Sequence, residues 1–451
     1  MLSAFTNSFK IPELRARILF TLGLIFVCRL VANVPTPGID SAALARVIAD
    51  IEKSSGGGFL GLIDMFSGGA LRNCAVGALG IMPYISASII LQLLTAVVPT
   101  LGRLAREGDT GRQKITQYSR VLTMFLCVIQ GWFMAVTLEN PQALGINTAL
   151  VLNPGIGFKV MTVVTMTAGS MFIMWLGEQI TQRGIGNGIS LIITEGIVSR
   201  LPAAVLAVVQ MFRPTEDGVR QFNIIHIVLL SVALVAVVAG TILLTQGQRK
   251  IPIQYAKRVV GRKVYGGQST YMPLRINYSG VMPIIFAQSI LMFPAILLRR
   301  LPEAWGWAHS LADMLTMNTG LYMVLYGVMI LFFSYFWVAT QFNPVQIADD
   351  LKKYGGYVPG IRPGTPTAEF LDNTMTKITL AGALFLTIIA VIPSVMNRQF
   401  EVPWLVSSFF GGTSLLIVVG VMLDTMRQVE SHLLMRHYDG FLRKGKLRGR
   451  R

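Results

Sequence analysis

Long apolar runs, divided by polar and basic stretches, set the pattern of this chain. About 20 mostly apolar residues cover the hydrocarbon core of a bilayer. Runs near that length fall at 18–34, 74–98, 120–138, 158–176, 189–211, 224–244, 279–298, 320–340, 376–395 and 404–426. Each reads as a membrane-spanning helix, and ten spans return the chain to the side on which it began. One apolar stretch does not fit this series. Phe59-Leu60-Gly61-Leu62-Ile63-Asp64-Met65-Phe66-Ser67-Gly68-Gly69-Ala70-Leu71-Arg72 is too short and too broken by glycine to cross, and Gly56-Gly57-Gly58 precedes it. It reads as a re-entrant half-segment before the second span. Non-helical backbone is tolerated at membrane depth only where protein buries it or where it lines a water-filled cavity. The stretch therefore points to a cavity.

Lys10, Arg15 and Arg17 ahead of the first run resemble the start of a secretory signal. The run is longer than the usual apolar region of a signal, however. It also contains Arg29 and ends in the turn-like Pro35-Thr36-Pro37-Gly38. An uncleaved first helix is expected.

Composition strengthens this picture. Hydrophobic residues make up 53% of the chain and charged residues only 14%, against about 25% charged in soluble domains. Lys and Arg outnumber Asp and Glu by 39 to 22, a net charge of +17. In a soluble protein that balance suggests nucleic acid; in a membrane protein it reports basic loops retained on the cytoplasmic side. Arg103, Arg106, Arg112 and Lys114 share a side with Arg249, Lys250, Lys257, Lys352 and Lys353, and with the basic tail from Arg436 onward. The opposite loops are sparse, so both termini are expected inside. Two inside loops, 245–277 and 341–373, are too long to be plain connectors. The first holds seven basic residues and no acidic one, interleaved with Tyr255, Tyr265 and Tyr271. It suits a large acidic partner, either RNA-rich or an acidic protein surface.

Other chemistry is thin. Cys28, Cys74 and Cys127 lie in or beside apolar runs without a CxxC pair, and His226, His309, His432 and His437 are scattered. Neither a disulfide framework nor a metal site is expected. Walker A, HExxH and GxSxG arrangements are missing, so neither an enzyme nor a cofactor is expected. Gly184-Ile185-Gly186-Asn187-Gly188 opens a membrane helix and follows no strand, which argues against a nucleotide cradle.

Two pairs of segments look alike. Gly80-Ile81-Met82-Pro83-Tyr84-Ile85 matches Gly280-Val281-Met282-Pro283-Ile284-Ile285, and Gly188-Ile189-Ser190-Leu191-Ile192-Ile193 matches Gly412-Thr413-Ser414-Leu415-Leu416-Ile417. Both pairs are five spans apart. An odd offset turns the second half upside down, the arrangement of an inverted repeat. Two halves, 1–215 and 216–451, are expected. The repeat would bring Ile85 and Ile285, and Ile193 and Ile417, to the interface of the halves. Ile81 and Ile189 stand one turn before Ile85 and Ile193 on the same helix faces. Such a branched apolar ring resists ions by dewetting, yet it can deform around a chain of varied side chains. The stretch 59–72 would fill its outer side at rest.

These residues resemble the SecY family, channel subunits of the bacterial protein-export translocase. Beyond the pairs above, the likeness is carried by Met65-Phe66-Ser67-Gly68-Gly69-Ala70-Leu71, Gly177-Glu178-Gln179-Ile180-Thr181-Gln182-Arg183 leading into Gly184–188, Val358-Pro359-Gly360-Ile361-Arg362-Pro363-Gly364, and Gly411-Gly412-Thr413-Ser414. The resemblance implies an all-α integral membrane protein, its ten helices in two inverted halves around an hourglass pore. It implies a pore ring of Ile81, Ile85, Ile189, Ile193, Ile285 and Ile417, with 59–72 as the plug. A lateral gate would lie between the second and seventh spans, with the third and eighth. Ser88, Gln92, Thr95, Gln288 and Ser289 are expected along that seam. Arg258, Arg262, Lys263 and Arg362 would dock a ribosome or the SecA motor. Further partners implied are SecE, SecG, signal-sequence-bearing polypeptides, the SecDF complex, a YidC-type insertase and the bilayer, in the bacterial inner membrane.

Two positions depart from the family pattern. Arg262-Lys263 stands where an arginine pair is frequent, which alters any bidentate contact. Glu195 follows Ile193 by about half a turn, and a carboxyl at that depth is a functional candidate by default. It would either be neutral or meet a water-filled funnel. The rival reading is a secondary transporter, which also uses inverted repeats and broken helices. Its coupling groups would have to come from Asp64, Glu195, Asp424 and Arg29.

Overall fold

The computed structural model describes residues 11–40, 43, 67–140, 150–212, 224–255, 258–260, 263–265, 269–299, 305–315, 319–400, 402–411 and 413–444. Its helices are α1 (Pro12–Val31), α2 (Met82–Val97), α3 (Pro99–Arg106), α4 (Asp109–Glu139), α5 (Ile156–Arg183), α6 (Gly188–Ser199), α7 (Leu201–Met211) and α8 (Ile224–Gln246). The series continues with α9 (Met282–Arg299), α10 (Gly306–Met314), α11 (Gly320–Gln341), α12 (Pro344–Lys353), α13 (Thr365–Phe400), α14 (Trp404–Gly411) and α15 (Thr413–Lys444). By contacts the chain divides into two compact units. One comprises Met1–Arg213, Pro403–Leu405 and Ile417–Arg451; the other comprises Pro214–Val402 and Val406–Leu416.

One helix turns small and polar residues inward and large apolar ones outward. On α4 the stripe Ser119, Thr123, Cys127, Gly131 and Ala135 is buried at four-residue spacing. Val121, Phe125, Val128, Trp132 and Phe133 of the same helix are exposed. Small residues let helix backbones approach, and lipid takes the large apolar faces. This is a multi-pass membrane protein. Among the described residues six helical stretches are long and apolar enough to cross: Asp109–Glu139, Ile156–Arg183, Gly188–Met211, Gly320–Lys353, Thr365–Phe400 and Leu405–Leu433.

Other expected spans take different forms. The second was expected over 74–98, but residues 67–81 run as successive turns and helix begins only at Met82. Pro83 in its first turn suits a helix start, and Gly80 (φ +57°) breaks the chain just before it. At its far end α2 bends by 104° into α3. Pro99 follows Val98, which is held extended (φ −92°, ψ 113°), as the residue before proline prefers. The first span, α1, carries Glu13, Arg15, Arg17 and Arg29 within 20 residues. In α8 the shorter Leu230–Gln246 stretch is apolar.

The loop 245–277 is not irregular. β1 (Gln248–Tyr255) pairs antiparallel with β4 (Ser269–Arg275), and β2 (Arg258–Val260) pairs with β3 (Lys263–Tyr265). β5 (Gly356–Tyr357) adds to β1. Ile251 and Ile253 of β1 are buried while Pro252 and Gln254 are exposed, the period of two expected of a half-buried strand. Ile251 and Leu274 join Val338, Phe342, Val358, Leu371 and Met375 in one core. The hairpin is thereby seated on α11 and α13.

Candidate functional site

All six expected ring isoleucines fall in the first two turns of a helix, or cap it. Ile81 is the N-cap of α2, and its carbonyl accepts the Ile85 N–H at 3.1 Å. Both side chains are buried. Asn187 caps α6, its Oδ1 accepting the N–H groups of Ile189 (3.1 Å) and Ser190 (3.3 Å). That cap sets Ile189, half-buried, and Ile193, buried, one turn apart. Ile285 lies in the first turn of α9 and Ile417 in the second turn of α15, both buried. The two Gly-x-Met-Pro segments also share local geometry: Gly80 has φ +57° and Gly280 φ +63°, and each is followed by a helix starting at methionine. Ile81, Ile85, Ile189, Ile193 and Ile417 belong to the first unit and Ile285 to the second.

The glycine-rich turn ahead of α6 serves close packing. Gly186 has φ +88° and its N–H donates to Gln428 Oε1 at 3.0 Å. Ile185 N–H donates to Thr21 Oγ1 at 3.1 Å. A Cβ at Gly188 would stand 1.9 Å from the Gly177 carbonyl oxygen. The turn thus binds α5, α1 and α15 to the start of α6.

Of the stretch 59–72, residues 59–66 lie outside the described residues. Ser67 to Leu71 are buried or half-buried, and Arg72 is half-buried. The Gly68 carbonyl accepts from Arg29 Nη1, and Ser199 Oγ lies 3.3 Å from the same oxygen. Downstream, Val76 N–H donates to the Val34 carbonyl and Thr36 N–H to the Cys74 carbonyl. Neither Gly196 nor Ser199 stood out in the sequence. Their signal was position alone, one and two turns beyond Ile193 on α6.

Ser88, Gln92 and Thr95 share a face of α2 and are half-buried; Thr95 Oγ1 donates to the Gln92 carbonyl at 2.7 Å. Gln92 Oε1 is buried without a hydrogen-bond partner among the described residues, as is Gln288 Oε1 of α9. Ser289 lies in α9. Arg258 opens β2, pairing with Tyr265, and Lys263 opens β3, pairing with Val260. Arg262 lies outside the described residues. Arg362 is exposed, and its carbonyl accepts from Thr367 Oγ1 at 2.8 Å. Among the coupling groups of the transporter reading, Asp64 lies outside the described residues, Asp424 is exposed and Glu195 is half-buried.

The sequence reading passed over two ion pairs between α4 and α5. Arg120 Nε and Nη2 hold Glu178 Oε1 and Oε2 at 2.9 and 2.7 Å. Lys159 Nζ stands 2.7 Å from Glu139 Oε2.

A solved structure of a protein-conducting channel superposes on 92% of this chain and 91% of its own, with a TM-score of 0.60 at 18% identity. The fold is that of a protein-conducting membrane channel. The SecY family model matches residues 75–426. The protein translocase subunit SecY of Streptomyces griseus is 44% identical over 454 residues, covering 98% of this chain and 100% of that one. The protein of the same name from Escherichia coli strain K12 is 44% identical over 439 residues, covering 97% and 96%. The chain belongs to the SecY family, a family of translocation channels and not of enzymes.

Proposed function

We propose that this chain threads unfolded polypeptides through a ring of Ile81, Ile85, Ile189, Ile193, Ile285 and Ile417, and releases apolar segments sideways into lipid. The observation that carries the reading is the placement of these residues at the starts of α2, α6, α9 and α15. Discontinuous helices that begin around a site are how membrane proteins build a path at mid-depth. Two five-helix halves, 1–215 and 216–451, with ten spans in all, would enclose that path. Residues 59–72 would seal it at rest. The ring has no fixed charge to hold an ion and closes by dewetting. It opens by side-chain rearrangement around whatever passes.

The seam for release would run along Ser88, Gln92, Thr95, Gln288 and Ser289. Unpartnered amide oxygens at Gln92 and Gln288 favour that role, because each carries a hydrogen-bonding capacity to be met by its surroundings or by a passing segment. The driving force would come from a ribosome or the SecA motor docked at Arg258, Arg262, Lys263 and Arg362. SecE and SecG would complete the complex, with SecDF and a YidC-type insertase as accessory partners. The setting is the bacterial inner membrane, with both termini cytoplasmic.

The test places single cysteines by Ile85→Cys and Ile193→Cys in a chain lacking Cys28, Cys74 and Cys127, with Val128→Cys on the exposed face of α4 as control. An arrested precursor carrying a thiol probe should crosslink at 85 and 193 and not at 128. Crosslinking at 128 alone would overturn the ring.

A further inference from the structure

We propose that Arg29 is a positioning residue for the seal, holding the Gly68 carbonyl in a socket formed by α1 and α6. This rests on the reading of residues 59–72 as the plug. Four observations meet at Gly68. Arg29 Nη1 donates to its carbonyl, and Ser199 Oγ lies 3.3 Å from that oxygen. Its φ is +66°, and a Cβ there would come within 3.1 Å of Gly196 Cα. Glycine is needed for the left-handed backbone and for the close approach alike.

The chain just beyond is tied down. Ala75 N–H donates to the Ala70 carbonyl at 2.8 Å, and Val76 N–H donates to the Val34 carbonyl at 2.8 Å. Gly68 and Gly69, both left-handed, stand at the start of this anchored backbone. Arg29 lies in the last turn of α1, where a cation also suits the helix dipole. Its grip is on backbone, so the contact survives side-chain changes in the segment and breaks only when the segment moves. Glu195, one residue before Gly196, lies within electrostatic reach of Arg29. It would hold the guanidinium in place when the segment leaves.

The experiment measures ion leak, without precursor, from vesicles holding the full chain with its small membrane subunits. Losing a charge-assisted bond shifts a two-state balance by about tenfold or more. Arg29→Met should raise the leak by about that factor, while Arg29→Lys, which still donates, should stay within about twofold of the parent. Arg29→Met combined with Glu195→Gln should leak as much as Arg29→Met alone. Closure restored by the second change would assign the effect to an unpaired Glu195 and overturn the proposal, as would a tight Arg29→Met channel. Should Arg29→Met not assemble, Gly68→Ala must leak instead, because its Cβ displaces the carbonyl; a tight Gly68→Ala channel refutes the socket. Deleting residues 59–66 separates the two readings. An unchanged leak there removes the plug itself and the socket with it, whereas a leak there with a tight Arg29→Met removes only the role of Arg29.

Discussion

At Gly188 one methyl group would decide whether α6 can start where it does. Its Cβ would fall 1.9 Å from the Gly177 carbonyl oxygen and 2.8 Å from Ile180 Cβ, and neither neighbour is a flexible chain end. Overpacking costs about 1–3 kcal/mol where side chains can adjust; here backbone would have to move, so Gly188→Ala should reach the upper end or beyond. Gly157 of α5 is the matched control, with nothing within 4 Å of its Cβ position. Gly157→Ala should be neutral or stabilise by up to about 1 kcal/mol. Thermal unfolding in detergent reads both; equal midpoints would show that the Gly177–Gly188 contact is not tight. The sequence alone read Gly184–188 as the opening of a membrane helix and argued against a nucleotide cradle there. It could not show what the glycines do, because Gly188 is opposed by a carbonyl eleven positions earlier. Arg29 is similar: visible as a charge in an apolar run, with a partner 39 residues away.

Helices and strands show where hydropathy stops being a guide. The apolar count started the third span at 120, but α4 starts at Asp109 and runs 31 residues. At 1.5 Å per residue that is about 46 Å, beyond a core of about 30 Å. Its polar first turns, with Asp109, Arg112 and Lys114, extend past the apolar part of the helix, and a window scoring apolarity is blind to them. Loop 245–277 was legible as long and basic. Its strands were not, although Ile251 and Ile253 alternate with Pro252 and Gln254, because the alternation is only four residues long. The Arg120–Glu178 pair was also hidden, since it joins two spans at a separation of 58 residues. Glu178 is 12% exposed and Arg120 42%, so the pair is partly screened. A cycle of Arg120→Met, Glu178→Gln and the double change should give a coupling of about 1–3 kcal/mol in unfolding experiments. Additive effects would mean that the small-residue stripe and the Lys159–Glu139 pair hold α4 to α5 without it.

Across the whole molecule, charge is distributed as sharply as apolarity. A net +17 gives the chain a positive field, and the long loops place Arg258 on β2, Lys263 on β3 and Arg362 in the turn before α13. Arg362 is exposed there, and its carbonyl is what bonds to Thr367 among the described residues, so changing its side chain should cost within about 0.5 kcal/mol. The joint change Lys263→Glu and Arg362→Glu moves the net charge by −4 while leaving the six isoleucines of the proposed ring and Gly68 untouched. Attraction between exposed charges is screened over about 8 Å at physiological salt and about 3 Å at 1 M. Binding of ribosomes, or of the SecA motor, to vesicles carrying the double variant should therefore fall about tenfold at low salt and converge with the parent near 1 M. Resting ion leak should stay at the parent level if, as proposed, docking and sealing use different residues. Equal low-salt binding would remove this surface as the dock. Weaker binding that salt does not equalise would point to a contact made through shape or hydrogen bonds, and the long basic loop would then report topology alone.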